Sequence, residues 1–542
     1  MGKEKDFRMG AVMDTREHTE IGDGLRLDNI ENNPYLRIDE AGVLHVRLQR
    51  FGENNLPEPM ALELSAGEII AMAGDYFTQA DWTMVLDLPK CERFNSAIDL
   101  GKFLIHQPVK QEEEDALITA YNNLAAPDVS RKEIDRIYAI NDARYIPFSD
   151  TLNFYVQQIM FYLRVKDYGE MLNRNQTHFT PWSVRVYVLG HSIALRYARL
   201  SYELKQWAAD SNYQSDNPDL ANIKASFAQK NQTLSKDDLI ELAHRYHAQA
   251  YSMELFTYHY YTDHFAAGHM SMVGDLRRIM KERFGVWGSI LVNNLHDEIN
   301  RVGVFCVKPY DPTPDKTEAP SRSRGDGKFD SCLNQFNKKE CVAGITASMS
   351  DVNDVLYGSA IPAQKNFGGL EHMPDVDYNS RQHEPLLVLS KGKIFYRNHL
   401  SRINIISPTE YEALRDNPKE HGYSELTSKW GAFKLVAKLR VLPFFYEGVV
   451  QPLSEEQRAA IVLDEKQRSP DRRPIPAPDC VPETESTVLD WGTSSPVWRT
   501  QKDRLDAMDG LKKHGVFKFK HRDPVDEELD AVPEPLVLSP SS

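Results

Sequence analysis

Five cysteines, Cys91, Cys306, Cys332, Cys341 and Cys480, occur in the 542 residues of this chain, and none stands in a Cys-x-x-Cys pair. An odd number without that spacing argues against a disulfide framework or a thiolate zinc site. Cys332 and Cys341 lie close enough in sequence to pair across a loop, but free thiols are the simpler expectation. Long apolar runs are also missing: nothing approaches the about 18 residues that mark a transmembrane helix. The first thirty residues are charged and hold no apolar stretch, so no secretory signal is expected. These absences predict a cytoplasmic protein, or one exported by a dedicated secretion system. Basic stripes are absent too. The net charge is −15 with acid spread along the chain, which counts against duplex nucleic acid as a partner. The one basic cluster, Lys512 to His521, reads as a solvated segment. No internal repeat is present.

What the chain does contain is the composition of a globular protein, 41% apolar, 26% charged and 10% aromatic, long enough for a sizeable core. Residues 1–33 read as a polar arm. The stretch from Tyr35 to Arg50 suggests a hairpin around Glu40-Ala41-Gly42. Ser65 and Glu68 have capping-box spacing and open a short helix that stops at Gly74, delivering Asp75, Tyr76 and Phe77 at its end. Helices are predicted over 111–124, 130–144 (with a second box, Ser130 and Glu133), 152–165, 274–284 and 286–301. After about residue 308 the texture changes to a Pro- and Ser-rich loop. A hairpin over 385–396 follows, and the apolar stretch 433–446 fits strand or helix equally. From Asp464 onward Pro, Asp, Glu and Ser dominate. The expected fold class is therefore mainly α, with a polar arm (1–33), a helical core (34–308), a smaller mixed α/β accessory region (309–465) and a largely disordered tail (466–542).

Eight of the seventeen histidines fall between His178 and His296. The densest pattern is Tyr258-His259-Tyr260-Tyr261-Thr262-Asp263-His264-Phe265-Ala266-Ala267-Gly268-His269, closing a long predicted helix that starts near Ser235. Four residues turn a helix by about 400°, so His259 and Asp263 share a face. Gly268 is a natural stop from which His269 can fold back. Imidazole and carboxylate converging on one point is a donor set for zinc. His178 sits in a polar loop ahead of Phe179 and Trp182. His296 lies late in a helix with Asp297, Glu298 and Asn300 beside it. His244 and His247 lie roughly 22 and 18 Å along the helix from His259 and are set aside. His264 points away and is expected at the periphery of the site or on the surface.

Two rival motifs are weaker. Glu241-Leu242-Ala243-His244 matches one half of a di-iron bundle motif but has no second copy. Gly190-His191-Ser192-Ile193-Ala194 after the strand-like 184–189 has the look of a nucleophile elbow, which would make Ser192 an esterase nucleophile. Its apolar spacing also fits one continuous helix.

The His259-x3-Asp263-x5-His269 pattern resembles the signature of the zinc-dependent phospholipases C, a group related to trinuclear-zinc single-strand nucleases. The Thr177-His178-Phe179 loop is similar to that group's upstream loop. Asp75 and the stretch His296 to Asn300 resemble a divergent bacterial and fungal branch. The resemblance spans about residues 60–305. It implies a helical zinc-hydrolase core with His178, His259, Asp263, His269 and His296 as ligands. Asp263 would bridge two metals, and Asp75 would be both ligand and water-activating acid, with Asp167 its competitor. Asn300 stands where the group has glutamate, so the ligand beside His296 is Asn300, Glu298 or Asp297. The group's N-terminal tryptophan ligand has no counterpart, since Trp82 is the first tryptophan; two or three zinc ions are implied. The expected activity is hydrolysis of glycerophospholipids, phosphatidylcholine foremost, at a membrane surface, with Tyr76, Phe77, Phe179, Trp182 and Tyr260 as an apolar mouth. The alternatives are a single-strand nuclease or nucleotidase on the same metals, the Ser192 esterase, and a non-catalytic protein stabilised by zinc that binds lipid or a partner.

Overall fold

The computed structural model describes residues 15–27, 32–52, 56–78, 97–146, 150–165, 168, 176–231, 233–271, 273–325 and 335–473. The protein is mainly α with small sheets, antiparallel except for the parallel pair Arg402–Ile403 with Val449–Val450. Helix α1 (Thr15–Asp23) precedes a three-stranded meander, β1 (Leu36–Ile38), β2 (Leu44–Phe51) and β3 (Pro57–Ser65). Then come α2 (Ala66–Met72), α3 (Ala97–His106), α4 (Gln111–Leu124), α5 (Arg131–Asp142) and α6 (Asp150–Arg164). The centre of the molecule is α7 (Trp182–Ala209) packed along α9 (Lys236–Asp263), with α8 (Pro218–Gln229) between them in sequence. A one-turn α10 (Ala267–Met270) leads into α11 (Val273–Phe284) and α12 (Val286–Val302).

Helix α9 starts where the sequence says, with Ser235 and Asp238 completing a reciprocal capping box. Every residue from Tyr246 to Asp263 is buried, so this helix is an interior rod rather than an amphipathic surface helix. It ends at Asp263, five residues before Gly268. The glycine is not the stop. It lies inside α10, where a Cβ would come within 2.6 Å of His296 Cδ2 and 2.9 Å of Asn300 Nδ2. Its role is close approach of α10 to α12. Gly190 does the same for α7 and α9: a Cβ there would stand 1.9 Å from Thr257 Oγ1. The elbow-like Gly-His-Ser is therefore the middle of one helix, and Ser192 Oγ donates to Val188 O in the preceding turn. A nucleophile elbow requires a strand-to-helix turn, and residues 184–189 are helical.

Other expectations shift. Thr15–Asp23 is a helix with Thr15, His18 and Ile21 buried, so this part of the expected arm belongs to the fold; residues 1–14 lie outside the described residues. Ser130 makes no side-chain cap, although Arg131–Asp142 is helical. Residues 429–446 resolve as helical turns, α14 (Lys429–Val436), a π turn over Ala437–Val441 and α15 (Pro443–Tyr446). The expected hairpin is present as an antiparallel pair, Leu387–Ser390 with Lys393–Arg397. The helix Glu455–Arg468 runs past Asp464 and is tied down by Glu465 on Arg381; residues 474–542 lie outside the described residues. Helix Gln335–Leu356 packs against α7 and α9, so the central core draws on chain beyond residue 308. Cys306 and Cys341 are free and buried, and Cys332 lies outside the described residues.

Where Gln335–Leu356 meets α7 and α9, His191 is fully buried. Its Nδ1 lies 2.9 Å from Glu254 Oε2 and its Nε2 3.3 Å from Asp351 Oδ2, and Ser348 Oγ donates to Glu254. Burial opposes protonation, but the two carboxylates outweigh it and raise the His191 pKa to about 9. A pKa raised above its unfolded value stabilises the fold fully below the unfolded pKa, about 6.5. That stability is lost as pH rises through about 9. Urea midpoints measured from pH 6 to pH 10 should therefore fall more steeply for wild type than for His191→Gln. Parallel curves would remove His191 as the titrating group.

Candidate metal centre

Five elements deliver side chains to the C-terminal end of α9. Asp263 is the last residue of that helix and is fully buried. One carboxylate oxygen, Oδ2, lies 2.5 Å from His178 Nδ1, 3.5 Å from His259 Nε2 and 3.7 Å from His269 Nδ1. The other, Oδ1, lies 3.3 Å from His18 Nε2 and has no hydrogen-bond partner. His259 and Asp263 share a face as the four-residue spacing requires, and His178 enters from the single turn Gln176–His178 ahead of α7.

The far side of each ring fixes what faces the cluster. His259 Nδ1 donates to Ile70 O at 2.9 Å, leaving the Nε2 lone pair directed at Asp263 and, at 3.3 Å, at His178 Nδ1. Thr262 Oγ1 gives its proton to Tyr258 O, so it accepts from His18 Nδ1 at 2.9 Å. That leaves the Nε2 lone pair of His18 facing Asp263 Oδ1. Two nitrogen lone pairs aimed at a buried carboxylate repel it unless a cation or a proton lies between. Both ring nitrogens of His269 are buried without a partner. A metal ion between them would satisfy the inner nitrogens of His18 and His259 and the Asp263 carboxylate, with Ile70 O and Thr262 Oγ1 as the outer hydrogen bonds that orient ligating imidazoles. Donor atoms of His18, His259 and Asp263 lie within 4.8 Å of one another, as do those of Asp75, His178 and His259. Imidazole with carboxylate is a donor set for first-row divalent ions such as zinc, copper, iron and nickel.

Electrostatics agrees. Burial keeps His259 and His269 well below the usual imidazole pKa, in the neutral form that ligates. Burial would raise the Asp263 carboxyl, but the surrounding imidazoles outweigh it and hold it well below its usual range. Burial also opposes protonation of His18, but Asp263 overcomes it and raises the His18 pKa; a proton there is the metal-free substitute for a cation. Gly74, at φ +69°, brings the chain against the cluster: a Cβ would lie 2.1 Å from His259 Cδ2. The next residue, Asp75, is half-buried beside His178, and burial raises its pKa. Asp167 lies outside the described residues.

The structure thus brings together Asp75, His178, His259, Asp263 and His269. His296 joins through His269, with ring centroids 5.0 Å apart. Asn300 does not offer its oxygen: Oδ1 accepts from Gly268 N at 2.6 Å, and Nδ2 faces His296 Nε2 at 3.1 Å. It positions α10 and His296 rather than serving as an oxygen ligand. Glu298 is taken by Arg397 in a two-pronged buried ion pair, which leaves Asp297, shared by His296 Nδ1 and Arg440, as the carboxylate on that side. His264 is buried, not superficial. Its Nδ1 faces Ser183 and Thr180 and its Nε2 donates to Pro374 O. Tyr76, Phe77, Phe179, Trp182 and Tyr260 are buried in the core and do not form an open mouth.

Two members were missed in the sequence. His18 was read as part of the arm, although Thr15, His18, Ile21 and Leu25 have the spacing of one helical face. Arg277 on α11 carries no motif or spacing that marks it in the sequence. Its guanidinium lies 5.2 Å from the Phe179 ring centroid, and Phe179 in turn lies 4.5 Å from the His269 ring. Burial lowers its pKa to about 10, against the attraction of Asp75 and Asp297. No family model, curated protein or solved structure matches the chain.

Elemental analysis of purified protein should find zinc, and Asp263→Ala should lose it. His18→Ala should weaken zinc binding by at least about tenfold, whereas Ser192→Ala should leave it unchanged. Wild-type zinc content in His18→Ala at limiting zinc would remove that histidine from the ligand set.

Proposed function

We propose that this chain is a zinc-dependent phosphodiesterase of the phospholipase C type, cleaving the glycerol-side phosphate ester of glycerophospholipids. Phosphatidylcholine is the expected substrate. The observation that carries the reading is the convergence of His18, His178, His259 and His269 on one buried carboxylate, with the Nε2 lone pairs of His18 and His259 facing it and His269 left without a hydrogen bond. His18, His178, His259, Asp263 and His269 would hold the metal, with Asp75 at its edge and His296 beside His269. Bound zinc supplies Lewis acidity toward phosphate oxygens and toward water.

The chain's own groups supply the rest. Asp75 accepts a proton from the attacking water, and its raised pKa suits a group that must take up a proton near neutrality. Arg277 remains protonated with a pKa of about 10 and offers a cation to the phosphate from above Phe179. Water attacks phosphorus, the bond from phosphorus to the glycerol oxygen breaks, Asp75 returns the proton it took from water to that leaving oxygen, and diacylglycerol and the phosphorylated headgroup separate.

A second reading has one observation in its favour. The clustered histidines are almost fully buried, as in a structural zinc site closed by protein ligands. In that case the protein is a zinc-stabilised binding module. A nuclease on the same metals is less favoured by the charge of −15.

The zinc-loaded protein should release phosphocholine from phosphatidylcholine vesicles, and chelation should abolish release. Equal release from chelated and zinc-loaded protein would sink the phospholipase reading, and release of nucleotides from single-stranded DNA alone would transfer it to the nuclease. Asp75→Asn should keep zinc and lower kcat by about 10²–10⁴-fold. Arg277→Ala should raise KM more than it lowers kcat, with partial recovery in Arg277→Lys.

A further inference from the structure

Residues 429–446 carry Lys429, Lys434, Lys438 and Arg440 and no carboxylate, in a chain of net charge −15. They form the helical run of α14, the π turn and α15, which packs Ala432, Leu435 and Val436 inward against α11 and α12. The outward side is not polar in the usual way. Trp430 is 62% exposed, Val441 73%, Leu442 46% and Phe445 54%, and Val286 at the start of α12 is 63% exposed. Trp430, Lys434 and Lys438 follow steps of four along α14 and the π turn, and Val441, Leu442 and Phe445 are exposed where the chain turns into α15, so that together they make one exposed face. Lysine and apolar side chains are interleaved on it. Lys434 Nζ lies 5.4 Å from the Trp430 ring centroid and Lys438 Nζ 5.3 Å from that of Tyr446, while Phe433 stacks on Trp430 and meets Trp287 edge-on.

From this face we infer a docking surface for an anionic phospholipid membrane, with Trp430, Val441, Leu442 and Phe445 entering the headgroup boundary and Lys429, Lys434 and Lys438 on lipid phosphates. Several large apolar side chains exposed on one face mark a binding surface of some kind, and the cations select its partner. Protein interfaces are depleted in lysine at their centres. Lysine stems that lie over apolar surface with their charge at its rim, beside tryptophan, belong to interfacial helices. The acidic remainder of the molecule is repelled by an anionic bilayer, so the patch also sets the orientation of docking. That orientation brings the metal centre toward the lipid. α14 packs on α12, the helix that carries His296, and Arg440 reaches 3.1 Å to Asp297 next to it. The inference rests on the phospholipase reading for its purpose, but the docking itself is measured without hydrolysis.

The experiment is sedimentation of the full chain with phosphatidylcholine vesicles, with and without phosphatidylserine, alongside hydrolysis of a short-chain, water-soluble phosphatidylcholine. Wild type should co-sediment with the serine-containing vesicles and be released by salt. Lys434→Glu with Lys438→Glu should weaken binding at least about thirtyfold. Trp430→Ser with Phe445→Ser should also abolish co-sedimentation. Both variants should keep the wild-type rate on the soluble substrate. If wild type stays in the supernatant, or both variants sediment like wild type, the docking surface is refuted. It is equally refuted if light scattering finds a dimer that these substitutions dissociate while vesicles are ignored, since the face then belongs to a second copy. If vesicle binding follows the variants but wild type hydrolyses neither substrate, docking stands and the phospholipase reading falls.

Discussion

A single buried carboxylate, Asp263 at the end of an interior helix, sets the terms for this structure. Removing an ionised carboxylate from water costs several kcal/mol unless charge and hydrogen bonds compensate it. Here the compensation comes from four histidines in four different elements. Each must be carried to within a few ångströms of one point, so the packing of α1, the turn before α7, α9 and α10 is tied to one site. The rings are oriented from outside, by Ile70 O and Thr262 Oγ1, and their inner nitrogens are left for a cation.

Backbone proximity is the second constraint. Three glycines act by what they omit: Gly74 against His259, Gly268 against His296 and Asn300, and Gly190 against Thr257. The first two lie at the site and the third where α7 crosses α9. The same crossing carries the His191, Glu254 and Asp351 network, a second, largely buried charge group. Partly exposed polar groups, Asp75, Arg277 and Asp297, gather on the side of the cluster that meets solvent. The basic apolar face of residues 429–446 adjoins that side through Arg440.

Much of the helical layout was readable because local rules decide it. The boundaries of α4, α6, α11 and α12 follow from apolar periodicity, and the starts of α2 and α9 from capping boxes that form as spaced. His259 and Asp263 were legible for the same reason, since a four-residue step on a helix fixes a shared face. Expectations went astray where a residue's neighbour is distant in sequence. Gly268 has the look of a helix stop, yet it exists for the contact with Asn300, thirty-two residues on. Asn300 itself stands where an oxygen ligand was expected, and its oxygen is spent on that same backbone N–H. The elbow-like Gly190-His191-Ser192 carries a motif's letters without the strand that gives the motif its strain.

The sequence by itself determined a mainly α chain with small sheets, the long helix that opens at the Ser235 cap and carries His259 and Asp263 on one face, and the candidate set of imidazoles and carboxylates. Periodicity, caps and spacing act within a few residues, and those features are local. Only the tertiary structure decided that His18 belongs to the centre and that Asn300 supports it from outside. It also decided that Phe179 and Trp182 are core, and that Arg277 lies over the Phe179 ring beside His269. Each of these depends on which of many distant surfaces meet, and that is set by the burial of whole helices rather than by any pattern along one of them.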